Sequence, residues 1–157
     1  MKSITILPAL LAVLALSAQA ADIPSTAVVV RQPSVQDRLD RARQAVEVKD
    51  WRVAERELNV AVREAPRNPD VHNLLGYTYR KRPSPDMAKA YEHYNTALKL
   101  DPNHKGAHEY LGEALLVDKR LPEAEQHLAA LEQICGGKGC EEYQDLAKSI
   151  AEYKAKN

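Results

Sequence analysis

Two cysteines are the first candidates for chemistry. Cys135 and Cys140 bracket the loop Gly136-Gly137-Lys138-Gly139, whose glycines let the chain turn back sharply. Three chemistries are open to such a pair: a structural disulfide, a redox-active dithiol, or two soft metal ligands. The oxidoreductase motif places two residues between its cysteines, whereas this chain places four. A disulfide joining the segments on either side is the leading reading, with redox or metal handling as the alternatives. Five histidines follow in interest, because His104 and His108 have the i, i+4 spacing that can chelate a transition metal on a helix. His104, however, falls in a turn before the helix, and no third ligand is apparent. No C-x-x-C-H haem motif, phosphate-binding loop, nucleophile–base set or carboxylate dyad is present. The residues therefore point to a non-catalytic protein that needs no cofactor and no metal.

The elements that position these residues can be read from a single stretch, His108 to Leu131. Leu111, Gly112 and Leu115 lie at helical spacing, and Ala124, Leu128 and Leu131 repeat it after a polar break. Glycine inside a helix costs roughly 1 kcal/mol relative to alanine, so Gly112 implies a close helix–helix approach. The same arrangement recurs upstream as Leu75-Gly76 with Tyr79, then Ala90, Tyr94 and Ala97, then Pro102. A fainter copy carries Ala42 and Ala45, then Ala54, Leu58 and Ala61, then Pro66. Counted on Ala42, Gly76 and Gly112, the period is 34 and then 36 residues. The longer interval is explained by Arg80-Lys81-Arg82-Pro83-Ser84-Pro85-Asp86, a basic turn that is extended at little cost in closure entropy.

These spacings resemble the tetratricopeptide repeat, a helix–turn–helix unit with the order W-x2-L-G-x2-Y, A-x3-F, A, P. The second copy reads His72-x2-Leu75-Gly76-x2-Tyr79, Ala90-x3-Tyr94, Ala97, Pro102, lacking only the opening aromatic. In the third, His108 takes that opening slot and Leu128 the later aromatic one. In the first, Arg41-Ala42 stands in place of Leu-Gly. The resemblance covers about residues 35 to 136. It implies an all-α fold, a right-handed α-solenoid of three repeats at about 35–68, 69–104 and 105–138. Glu141 to Lys156 forms an amphipathic stripe through Tyr143, Leu146, Ala147, Ile150 and Tyr153, which predicts a capping helix over 141–156.

The address lies in the first residues. Lys2, the apolar run Ile4–Leu16 and Ala18-Gln19-Ala20 read as a signal peptide over 1–20, too short to span a bilayer, which needs about 20 apolar residues. Cleavage after Ala20 predicts a periplasmic protein, or a secreted one, with no stable membrane insertion. Residues 21–34 read as a flexible leader containing the β-branched run Val28–Val30, with Ser34 as the first helix N-cap. The 22 basic and 22 acidic residues balance, which gives no footprint for nucleic acid.

The resemblance also implies where recognition occurs. Arrays of this kind bind a protein or peptide on the concave face lined by the first helix of each repeat. By repeat register that face carries Leu39, Arg43, Val46 and Glu47, then Asp70, Asn73, Tyr77, Arg80 and Lys81, then Glu109, Glu113, Leu116 and Val117. The carboxylate clamp of chaperone-binding members is not carried over, since its slots hold Leu39, Arg43, Leu74, Gly106 and Tyr110. Trp51 is read as a packing residue. Self-association into a homo-oligomer is the remaining alternative to partner binding.

Overall fold

The computed structural model describes residues 31–157. The predicted signal peptide, its cleavage site and the leader up to Val30 lie outside the described residues. Among the described residues there are seven helices and no strand: α1 (Val35–Glu47), α2 (Trp51–Glu64), α3 (Pro69–Lys81), α4 (Met87–Leu100), α5 (Lys105–Val117), α6 (Leu121–Ile134) and α7 (Glu141–Lys156). They pair as α1/α2, α3/α4 and α5/α6, and α7 packs on both α5 and α6. The first helices of the pairs touch in succession, α1 on α3 and α3 on α5, so they share one face of an all-α solenoid.

Local signals set the helix starts. Ser34 and Asp37 form a reciprocal capping box at α1. Asp50 and Asp86 each accept a hydrogen bond from a backbone N–H three residues on, at the starts of α2 and α4. Asn68 caps α3 with Pro69 in its first turn, and at the equivalent start of α5 His104 Nδ1 accepts from the Ala107 N–H. The turns between paired helices differ. Lys49 and Lys119 adopt left-handed φ angles of 58° and 60°, each followed by a 6→1 bond, Asp50 N–H to Ala45 and Arg120 N–H to Leu115. The longer turn of the middle repeat has no such residue, and its Asp86 N–H reaches Tyr79 instead.

The core is a column of small and branched side chains. Ala42, Leu58, Ala61, Leu75, Ala90, Tyr94, Ala114, Ala124, Leu131 and Leu146 are buried in one continuous cluster. Burial of each leucine contributes about 1.5–3 kcal/mol. Leu39, expected on the binding face, is 1% exposed and belongs to this core. The two helical glycines mark the tightest approaches. A Cβ on Gly76 would meet the Tyr94 ring at 2.6 Å, and one on Gly112 would meet Leu146 at 2.6 Å. Gly76 therefore seats its own repeat's second helix, whereas Gly112 seats α7.

The Cys135 and Cys140 sulfurs are at bonding distance, 1.99 Å, and the bond links the C-cap of α6 to the N-cap of α7. No helix of the described residues is long and apolar enough to cross a membrane.

Candidate peptide-binding groove

Cavities along the α1–α3–α5 face share their lining residues. One, of 280 Å³, is walled by Arg43, Val46, Glu47, Asp70, Asn73, Leu74, Tyr77 and Tyr110. The next takes in Val46, Glu47 and Tyr77 again, and adds Trp51 and Lys81. Lys81 also borders a third, where Glu113, Leu116 and Val117 face Ser149 and Tyr153 of α7. The result is one trough that runs from the α3 N-terminus to the α7 C-terminus.

Tyr77 stands at its middle. Its ring lies 4.7 Å from that of Tyr110, tilted at 52°, a favourable aromatic geometry between repeats. Arg80 and Lys81 sit 5.5 and 5.9 Å from the Tyr77 centroid, within cation–π range. Desolvation raises the Tyr77 phenol above its usual pKa, with the Arg80 charge opposing the shift.

Arg43, Glu47, Asp70, Asn73 and Tyr77 are thus brought together in one cavity. Arg80, Glu113 and Glu109 behave differently from the expectation for partner-facing residues. Arg80 is buried and donates from Nε to the Tyr94 hydroxyl at 3.2 Å and from Nη2 to Glu113 at 2.6 Å. Ser149 of α7 donates to the other Glu113 oxygen at 3.1 Å. This relay ties α4, α3, α5 and α7 together, so Arg80 and Glu113 act as internal ties at the wall of the trough. Their charges are spent on each other. Glu109 is 8% exposed and lines none of the three cavities. Burial pushes its carboxyl up to about 8, with Glu113, Asp145 and Glu142 adding to the shift. Trp51, read as a packing residue, is half-buried and also borders the trough beside Tyr77.

The histidines form a pattern that spacing along one helix did not reveal. His104 and His108 do not pair: His104 Nε2 donates to Asp70 at 3.1 Å, because its Nδ1 is already an acceptor at the cap. His108 pairs with His127 through Nδ1···Nδ1 at 2.9 Å, and His72 pairs with His93 in the same way at 3.0 Å. His72 Nε2 lies 2.9 Å from the Pro66 carbonyl, and His108 Nε2 lies 3.0 Å from that of Pro102. Those nitrogens must carry protons, so the Nδ1 atoms of His72 and His108 accept and the partner rings donate. In the first repeat Arg38 and Glu57 hold the same two positions as an ion pair at 3.2 Å. The signal was a two-helix register.

Asn73 adds a further feature. Its Oδ1 is buried and accepts no hydrogen bond from the protein, while its Nδ2 packs where a Cβ on Gly106 would sit, at 2.9 Å. Gly106 leaves the room that lets Asn73 stand in the cavity wall.

Comparison with known proteins agrees with this architecture. The family model described as "Tetratricopeptide repeat" matches residues 39–92 and 86–138. No curated protein sequence gives a significant match. Among solved structures, the "TPR2B-domain:pHsp70-complex of yeast Sti1" superposes with a TM-score of 0.67 at 15% identity, covering 78% of this chain and 98% of that one. At that identity the likeness speaks for the fold alone. With the family model spanning most of the described helices, the chain belongs to the tetratricopeptide repeat family.

Proposed function

We propose that the protein is a non-catalytic, exported scaffold that binds a peptide or partner protein along the trough, in envelope assembly or in the maturation of another exported protein. The observation that carries this reading is the partly exposed pair Tyr77 and Tyr110, shared between repeats at the centre of a trough lined by three helices. Large aromatics flanked by polar groups are the composition of an interface anchor. The superposed yeast domain is itself described as a complex, which supports a protein or peptide as the kind of ligand. The signal-like sequence at the N-terminus supports a periplasmic setting.

Replacing Tyr77 with Ala is expected to weaken capture of the partner from a native envelope extract by about 1–3 kcal/mol. Loss of the Tyr110 contact adds a stability cost of about 1 kcal/mol. Gly76→Leu is the contrasting variant, since its side chain would collide with Tyr94 and lower stability first. Capture unchanged in Tyr77→Ala, with the fold intact by circular dichroism, would remove the trough as the binding surface.

A second reading rests on one observation: a Glu142 carboxylate oxygen lies within 4.8 Å of both cysteine sulfurs. After reduction, Cys135, Cys140 and Glu142 would present three ligand atoms to a soft metal ion. Two free thiols on protein taken from oxidising surroundings would favour that role. Their absence leaves a structural bond.

A further inference from the structure

The cavity at the α3 N-terminal end of the trough has a chemistry of its own. Its charged lining is Glu47, Asp70 and Arg43. Arg43 is engaged along its own helix by Asp40 at 2.9 Å, and both of those side chains lie at the exposed rim. Asp70 holds the His104 N–H on one oxygen, yet its side chain is still 54% exposed. Asn73 Oδ1 is a buried acceptor without a protein donor. The remaining walls are the tyrosine rings, Val46 and Leu74. Two carboxylates and two aromatic side chains line the same cavity.

We propose that this cavity is a subsite for a basic side chain, lysine or arginine, presented by an extended peptide partner. The proposal rests on the trough reading and names the ligand class for one part of it. A cation that enters lies beside the Glu47 and Asp70 carboxylates and packs its stem on Val46 and Leu74. The Tyr77 and Tyr110 rings add apolar surface for the stem of the incoming side chain. A carboxylate entering the same space would meet the Glu47 and Asp70 carboxylates, with the Arg43 guanidinium already held by Asp40. At 280 Å³ the cavity falls just below the range of about 300–1,000 Å³ for sites that enclose a whole small molecule, which fits a single side chain.

N-acetyl-arginine amide, N-acetyl-lysine amide, N-acetyl-citrulline amide and N-acetyl-glutamate amide are the probes. Their binding is followed by two-dimensional NMR on the intact chain. Arginine and lysine derivatives are expected to shift the Asn73 side-chain amide and the Tyr77 and Tyr110 signals. Citrulline, which has the shape of arginine without its charge, should bind roughly fivefold more weakly, the ratio expected from losing two partly exposed charge contacts. The double variant Glu47→Gln, Asp70→Asn should erase that preference while keeping the dispersed spectrum of the folded chain. No response to arginine, or equal responses to arginine, citrulline and glutamate, overturns the subsite. If partner capture still depends on Tyr77 in that case, the basic subsite alone has failed. If capture is indifferent to Tyr77, the trough reading fails as well.

Discussion

Single residues in this fold carry opposite duties only a turn apart. On α3, Gly76 seats Tyr94, Tyr77 opens to the trough, and Arg80 turns inward to bind Tyr94 and Glu113. Sequence register placed Tyr77 and Asn73 on the trough, because side-chain direction follows helix position. Arg80 also lines the trough, but register did not show that it binds Glu113, because an arginine on an inner helix face has two sinks, a partner or a neighbouring carboxylate. Glu113 lies one repeat away and was not visible as its counterion. Glu109 is the residue-scale test. Its carboxyl, raised to about 8 by burial and by the acidic groups Glu113, Asp145 and Glu142, is largely neutral in the fold near pH 7 and charged when unfolded. The folded pKa lies above the unfolded one, so this contribution is whole below about pH 4.5 and is lost as pH rises toward 8. Glu109→Gln keeps the shape without the charge. It is expected to raise stability at pH 8 by on the order of 1–3 kcal/mol and to have little effect near pH 4, as read from urea midpoints. An equal effect at both pH values would mean that packing, not charge, governs the site.

At the scale of elements, the helix boundaries were the most legible feature. Proline, asparagine and aspartate at the repeat joints act locally through caps and lost N–H donors, so they need no tertiary information. The turn geometry was less legible. Three helices, α1, α5 and α6, end with the same left-handed residue followed by a 6→1 bond, but only α6 supplies glycine, at Gly136. Lys49 and Lys119 adopt the same geometry at a cost of about 1 kcal/mol each, since their Cβ crowds the backbone. Nothing in the side chain of lysine announces that position. Lys119→Gly should therefore raise stability by about 0.5–1 kcal/mol, the relieved strain exceeding the added freedom of the unfolded chain. Arg82→Gly in the middle repeat should not, because its backbone is extended with φ −63° and its side chain bonds Ser84 and Glu55. Thermal unfolding of both variants checks the contrast, and stabilisation by Arg82→Gly would contradict it.

Across the three repeats, one structural position is filled in two ways. The slot where the family pattern opens with an aromatic holds Arg38, His72 and His108, and the facing slot on the second helix holds Glu57, His93 and His127. The first repeat is thus joined by an ion pair, and the second and third by neutral histidine pairs whose tautomers the proline carbonyls fix. A proton on the donating rings would go to Nε2 of His93 or His127, placing a charge in a half-buried site beside the partner ring. Burial lowers His127 to about 4, with the His108 charge lowering it further and Glu123 opposing. His93 is lowered for the same reason, with His72 and Lys89 adding to the shift and Glu92 opposing. Since these folded pKa values lie below the unfolded one, the stability they provide is whole above about pH 6.5 and is lost as pH falls toward 4. Repeat solenoids unfold locally in proportion to their weakest interfaces, so acid should loosen the second and third repeats before the first. Hydrogen exchange at pH 4.5 is expected to show protection falling first in α4 and α6, while α1 and α2 hold. Exchanging one pair for the first repeat's solution, His108→Arg with His127→Glu, should remove on the order of 1–3 kcal/mol of the loss between pH 6.5 and 4. Uniform loss of protection along the chain, or an acid transition unmoved by the exchange, would show that the histidine pairs are not what acid attacks.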